Sequence, residues 1–456
     1  MPDVFAETAN PQSARRRVWQ LAWPLILSNV TVPLLGLVDT AVMGHLPESE
    51  YLGAVTLGAM LFSFLYWGFG FLRMGTTGLT AQALGREDPD AVRLLLAQSL
   101  VTAAALGTVI LLLHPWLISI GLDLMDGSAA VTAHADTYAR IRVLSAPAVL
   151  GNYALIGWFL GLQNSRATLL LMVLNNSVNI VLDLLFVVGL KMTVDGVALA
   201  SVIGDYLTLA TGLGMAALTL NRMGGQLPWH RVRRWADYRS LFRVNSALFV
   251  RTLCLLFAFA FFHAQGARQG DTILAANAVL MQFVLFTSFA LDGFAHATEA
   301  LVGGAIGQRS RQLFSRYVNA AALWSLVAAG GFSLAFLVGG KAIIAALTTL
   351  TAVRETAATY LGWAVAMPLV AVWSYLLDGI FIGATRTAAM RDSMLASVLI
   401  VYLPLWYLTL DYGNHGLWLA FIAMNTARSI SLGLILRRDM RRGSWFATVG
   451  AGGASP

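Results

Sequence analysis

The chain has 456 residues, 58% of them hydrophobic and 12% charged, with a mean hydropathy of +0.70. A soluble domain usually carries about 25% charged residues, so this composition excludes a soluble enzyme or adaptor and specifies a polytopic integral membrane protein. The net charge of +7 falls in short segments between apolar runs, where topology determinants lie, and so does not argue for nucleic acid.

Residues 1–12 are polar and lead into Arg15, Arg16 and Arg17, with no visible cleavable signal. Apolar runs then predict twelve membrane helices, at about 17–42, 52–83, 92–114, 131–160, 166–188, 193–220, 239–267, 272–306, 313–337, 352–384, 389–410 and 414–437. Several exceed the spanning minimum, so they tilt or project. Positive charge gathers in the even loops: Arg86 and Arg93, then Arg166, then a dense run from Arg222 to Arg243. It returns at Arg309, Arg311 and Arg316, at Arg386 and Arg391, and after the last span at Arg437, Arg438, Arg441 and Arg442. Lys191, Arg268 and Lys341 are the exceptions in the odd loops. Basic segments stay cytoplasmic, which predicts both termini inside, in agreement with an even number of spans. The lone Cys254 lies in an apolar run and is a free thiol.

The densest basic loop, "NRMGGQLPWHRVRRWADYRS", divides the chain near its middle, and the two sides resemble each other. "GWFLGLQNSRA" at 157 aligns with "GIFIGATRTAA" at 379, and Gly85 with Gly307, both at an offset of 222 residues. "GVALA" at 196 faces "GLWLA" at 416, at an offset of 220. The pattern predicts two parallel six-helix repeats with a cavity between them, a frequent transporter plan. The expected domains are residues 1–221, a basic linker at 222–238, and 239–456.

A carboxylate at the centre of a membrane helix costs about 2.5–3.5 kcal/mol on insertion scales, so each one needs a reason. Span one carries Asp39, with Pro24 and Pro33; Pro24 removes a helical hydrogen bond and permits a kink. In span five, Asn175, Asn179 and Asp183 recur every fourth residue and share a helix face, with Asn176 beside them. Asp39 and Asp183 fall at matched depth in the outer half; both also fit helix-end positions near the interface. Tyr138 of span four offers a hydroxyl, or fits an interfacial tyrosine belt. Span six holds Ser201 and Asp205. Asp292 and Glu299, seven residues apart in span eight, fit a structural ion pair with Arg73, Arg251 or Arg428, and span ten holds Asp378.

The segments "LAWPLILSNV", "LVDTAVMGHL", "FLRMGTTGLTAQALG", "NNSVNIVLDLLFVVGL", "LDGFAHATEA" and "YLLDGIFIGATRTAAMRDSM" resemble the multidrug and toxic compound extrusion (MATE) family, in its DinF-like branch, over essentially all twelve spans. The resemblance implies a V-shaped all-α membrane protein of two six-helix lobes that exchanges a cation for an organic compound. It further implies a cation-coupling site in the amino-terminal lobe, formed by Asp39, Tyr138, Asn179, Asp183 and Ser201, with Pro24 as hinge. Asn175, Asn176 and Asp205 are supporting residues. A second branch uses acids of the carboxy-terminal lobe, including a span-seven glutamate. Span seven here has Arg251 and no acid, which leaves Asp292, Glu299 and Asp378 as an incomplete second site.

If Asp39 and Asp183 face each other, burial and like charge both oppose double ionisation, and the pair titrates as a unit. Proton entry then competes with a cationic or amphipathic cargo. The oxygen set Asp39, Asn179, Asp183 and Ser201 equally suits sodium. The expected activity is therefore multidrug antiport, not catalysis, by a monomer in a bacterial inner membrane with no cofactor. A lipid or oligosaccharide flippase is the alternative. "GGKA" at 339 lacks the hydroxyl of a phosphate-binding loop, and "HATE" at 296 lacks metalloenzyme spacing.

Overall fold

The computed structural model describes residues 11–43, 49–125 and 127–446, with side chains described for these except residues 11, 30, 32–43 and 49. Among the described residues the secondary structure is helical. Eleven segments are long and apolar enough to cross a membrane, from Glu50–Gly85 to Leu410–Arg442. α1 (Pro11–Met43) precedes them. The chain is a multi-pass membrane protein.

The second predicted span is two helices, α2 (Ser49–Gly68) and α3 (Phe71–Gly85), separated by a tight turn at Phe69 and Gly70. The helix α4 (Pro89–Met125) follows. The fourth span is α5 (Ala129–Arg142) and α6 (Ala146–Gly161), joined by a single 3₁₀ turn. The helix α7 (Ser165–Asp183) changes pitch at its end into a π segment, Leu184–Gly189, before α8 (Val194–Met223). A short α9 (Trp229–Arg233) lies in the basic linker. Then come α10 (Arg239–Arg268), α11 (Asp271–Gly307), α12 (Arg311–Leu347) and α13 (Thr351–Gly383). The last part runs through α14 (Thr387–Ala396), a second π segment at Ser397–Tyr402, α15 (Leu403–Leu408) and α16 (Gly413–Arg442).

The internal repeat is written into the backbone. Glu87 and Arg309 both have left-handed φ, 56° and 57°, and lie 222 residues apart. Gln163 and Thr385 repeat the pattern at 59° and 55°, as do Lys191 and Gly413 at 58° and 55°, at the same offset. Left-handed φ is uncommon outside glycine, so three pairs in register mark matching turns in the two halves. Close helix contacts match as well. A Cβ on Gly157 would lie 2.4 Å from the Arg73 carbonyl oxygen, and one on Gly379 would lie 2.5 Å from that of Ala295, again 222 residues on. Small residues permit this approach of backbones, which drives packing between membrane helices where the hydrophobic effect cannot.

Two compact units result. One comprises residues 1–22, 81–87 and 253–456; the other comprises 23–80 and 88–252. In the first, α11, α12 and α13 pack on one another and α13 on α16. Its core is an aromatic cluster in which Phe262 meets Trp418 at 5.0 Å and Phe421 at 5.2 Å. A reciprocal amide pair, Asn277 with Asn414 at 2.8 and 2.9 Å, also accepts the Trp418 indole. In the second unit α4 packs on α6 and α7 on α8, and α8 also contacts α5 and α6.

Candidate functional site

The polar stripe of α7 lies inside the second unit. Asp183 is completely buried and Asn179 is 3% exposed. With its Nδ2 toward the carboxylate, Asn179 donates to Asp183 Oδ2 at 2.6 Å, while its Oδ1 accepts from Ser201 Oγ at 2.8 Å and from the Ser201 amide at 3.3 Å. The opposite orientation would set an amide oxygen against a carboxylate oxygen, so partner chemistry fixes this one. Asp183 is also the last residue before the π segment, where the Leu190 amide bonds back to the Leu185 carbonyl at 2.9 Å. Such segments insert an extra residue into a helix and are frequent at functional sites.

The remaining asparagines tie this helix to its neighbours. Asn175 Oδ1 accepts from Thr208 Oγ1 of α8 at 3.2 Å, close to Gly204, whose missing side chain admits it. Asn176 Nδ2 donates to Thr31 Oγ1 of α1 at 2.9 Å. The stripe therefore divides, with Asn175 and Asn179 toward α8 and Asn176 toward α1. In α1, Pro24 is buried and denies a helical donor to the Gln20 carbonyl. Beyond it Ser28 and Thr31 bond to main-chain carbonyls three residues back, at 2.8 and 2.6 Å. The Asp39 side chain lies outside the described residues.

Tyr138 is buried on α5 with its ring over Gly58, where a Cβ would come within 2.3 Å of the ring edge. Asp205 has a different role from its α8 neighbour Ser201. Its carboxylate pairs with Arg142 Nη1 at 2.7 Å, the two side chains being 7% and 15% exposed. Tyr66 adds a hydroxyl to Ser145 at 3.1 Å and its ring face to the guanidinium at 5.5 Å. The sequence reading passed over Arg142, although an arginine inside span four is itself a signal of a buried acid nearby.

The second repeat also ties its fourth span to its sixth by a buried ion pair, at other positions and with the acid on the fourth span. Arg428 of α16 pairs with Asp378 of α13 at 2.5 Å, both nine-tenths buried. Arg428, one of the three arginines expected near Asp292 and Glu299, pairs with Asp378 where α13 packs against α16. Glu299 is buried in α11, and Asp292, seven residues earlier on the same helix, is partly buried. Among the described residues, the second repeat holds no copy of the Asp183 cluster. At an offset of 222, Asn179 and Asp183 correspond to Val401 and Leu405, and at 220 Ser201 corresponds to Phe421. Phe421 belongs to the buried aromatic core there, and Leu405 packs against it.

The MatE family model matches the chain twice, at residues 24–185 and 247–408. The chain belongs to the MatE family. The two matches are displaced by nearly the offset seen in the turns and glycine contacts. The chain is 46% identical over 436 residues to DNA damage-inducible protein F of Escherichia coli (strain K12), covering 95% of each. A probable multidrug resistance protein NorM of Acinetobacter baylyi is 26% identical over 461 residues, covering 96% of this chain and 98% of its own. Among solved structures, the outward-facing conformation of a multidrug resistance MATE family transporter matches with a TM-score of 0.85 and 20% identity, over 95% of this chain and 97% of that one. That similarity places this MatE chain in the two-lobe fold.

Proposed function

We propose that this MatE chain is a secondary antiporter that exports cationic or amphipathic organic compounds, driven by proton entry at a carboxylate site in its first repeat. The observation that carries the reading is Asp183, fully buried in a membrane helix and accepting from the Asn179 amide, which in turn accepts from Ser201, a cluster not repeated among the described residues of the second repeat. The names of the NorM relative and of the solved transporter support the substrate class.

Spacing supports Asp39 as the partner of Asp183. Thr31 and Asn176 join α1 to α7. From that bond Asp39 lies eight residues on and Asp183 seven, so a rise of about 1.5 Å per residue carries both to similar height on helices crossing in the same direction. Deprotonated, the pair attracts cationic cargo; protonated, it releases it. The proton drives the cycle only through unequal affinity for the two conformations. Tyr138 and Ser201 steady the pair, Pro24 permits α1 to bend, and Asp292, Glu299 and Asp378 shape the second repeat. The lobes are 1–221 and 239–456, joined by a cytoplasmic linker, with both termini on the cytoplasmic side of the inner membrane.

Proteoliposomes carrying one gradient at a time test this. A pH gradient alone drives efflux of a fluorescent organic cation, and Asp39→Asn abolishes it while leaving insertion intact. Transport driven by sodium alone assigns the ion to the same oxygens, and undiminished transport by the variant excludes the site.

A further inference from the structure

A cavity of about 990 Å³ opens in the second unit between the α2–α3 turn, α4 and the start of α10, and it shares no residue with the Asp183 cluster. Its apolar lining is Phe71, Leu106, Phe242 and Phe249. It also carries Arg239 and Arg243, one helical turn apart on the exposed face of α10. Neither arginine has an ion-pair partner among the described residues. Asn245 lines the same cavity at 3% exposure, and both atoms of its amide lack a hydrogen-bond partner among the described residues. Gly75 makes room for it, since a Cβ there would lie 2.0 Å from Asn245 Oδ1.

A buried amide without partners and two unpaired guanidinium groups, set against phenyl rings, ask for one ligand with an anionic head, hydrogen-bonding groups below it and an apolar tail. The surroundings name its source. The cavity adjoins the basic linker, where Trp229 and Trp235 are 65% and 74% exposed, the pattern of an interfacial anchor that attracts anionic lipid. A cationic cargo would be repelled by the arginines, and a small soluble anion would leave the aromatic wall unused.

We infer that this cavity holds one anionic glycerophospholipid. Its phosphate sits between Arg239 and Arg243, its ester carbonyls against the Asn245 amide, and its acyl chains along Phe242, Phe249, Phe71 and Leu106. The leaflet follows from the orientation proposed above; the site itself is independent of the coupling reading.

Native mass spectrometry of the full-length protein in detergent, supplied with phosphatidylglycerol, phosphatidylcholine or inorganic phosphate, tests it. The wild-type chain retains phosphatidylglycerol over phosphatidylcholine. Arg239→Gln with Arg243→Gln weakens that retention about tenfold or more, and Asn245→Leu weakens it at unchanged charge. Arg233→Gln with Arg234→Gln, in the same linker but outside the cavity, does not. Equal retention of the two lipids, an equal loss in both double variants, or displacement of the lipid by inorganic phosphate overturns the assignment. Because Arg239 and Arg243 are exposed, their double variant folds whether or not Asn245→Leu does.

Discussion

The Asp183 carboxyl is held by the Asn179 amide, whose Nδ2 donates to it while its Oδ1 accepts from Ser201. Asp183→Asn keeps the volume and removes the ionisation. In pH-gradient vesicles this variant should export organic cations no faster than leak, with a melting temperature near that of the wild type; loss of folding instead would mark Asp183 as structural. Asn179→Leu removes the donor and takes a hydrogen bond from a buried carboxylate, which costs about 1–3 kcal/mol and should appear as a lower melting temperature. The fourth-residue spacing of Asn175, Asn179 and Asp183 made the shared face legible in the sequence. It could not show that Asn176 turns toward Thr31 of α1, because a helical wheel gives direction and no neighbour.

Arg142–Asp205 joins α5 to α8, and Arg428–Asp378 joins α16 to α13, so each repeat clamps its fourth and sixth spans with one buried pair of opposite polarity. Breaking such a pair strands a buried charge, whereas replacing both partners with apolar residues is often neutral. Arg142→Met should therefore destabilise by about 3–5 kcal/mol, and Arg142→Met with Asp205→Leu should recover most of it, read as detergent unfolding midpoints. Equal losses in the single and double variants would show that the residues do not act as a pair. Glycine contacts give a second comparison. Gly157→Ala and Gly379→Ala drive a methyl into a neighbouring main chain and should each cost about 1–3 kcal/mol, whereas Gly214→Ala, with nothing within 4 Å, should be neutral or stabilising. Span positions and the repeat were legible because apolar length and glycine register are local properties. The break after Gly68 and the π segment after Asp183 were not, since both lie inside uninterrupted apolar runs. The charge exchange was hidden because each acid finds its partner on a helix remote in sequence.

At the scale of the whole molecule, the repeats touch where their matching residues meet. Within the first unit a Cβ on Gly85 would lie 2.2 Å from the Gly304 carbonyl oxygen, and one on Gly307 would lie 2.3 Å from that of Gln82. The contact is reciprocal at the 222-residue offset, as expected on a pseudo-twofold axis, and the sequence alignment of Gly85 with Gly307 already contained it. Gln82 then crosses to the second repeat, its Nε2 donating to the Gly383 carbonyl at 2.9 Å and to Thr385 Oγ1 at 3.2 Å. If transport proceeds by repeats rocking against each other, this junction has to part once per cycle. Gln82→Cys with Thr385→Cys, in a Cys254→Ala background, joined by a thiol-cleavable bifunctional reagent spanning a glutamine side chain, should stop efflux. Reductant should restore it, and either single cysteine carrying the same reagent should keep most of the activity. Efflux that continues with the bridge formed to completion would mean that this junction stays closed throughout the cycle, and that the moving surfaces lie elsewhere in the two repeats.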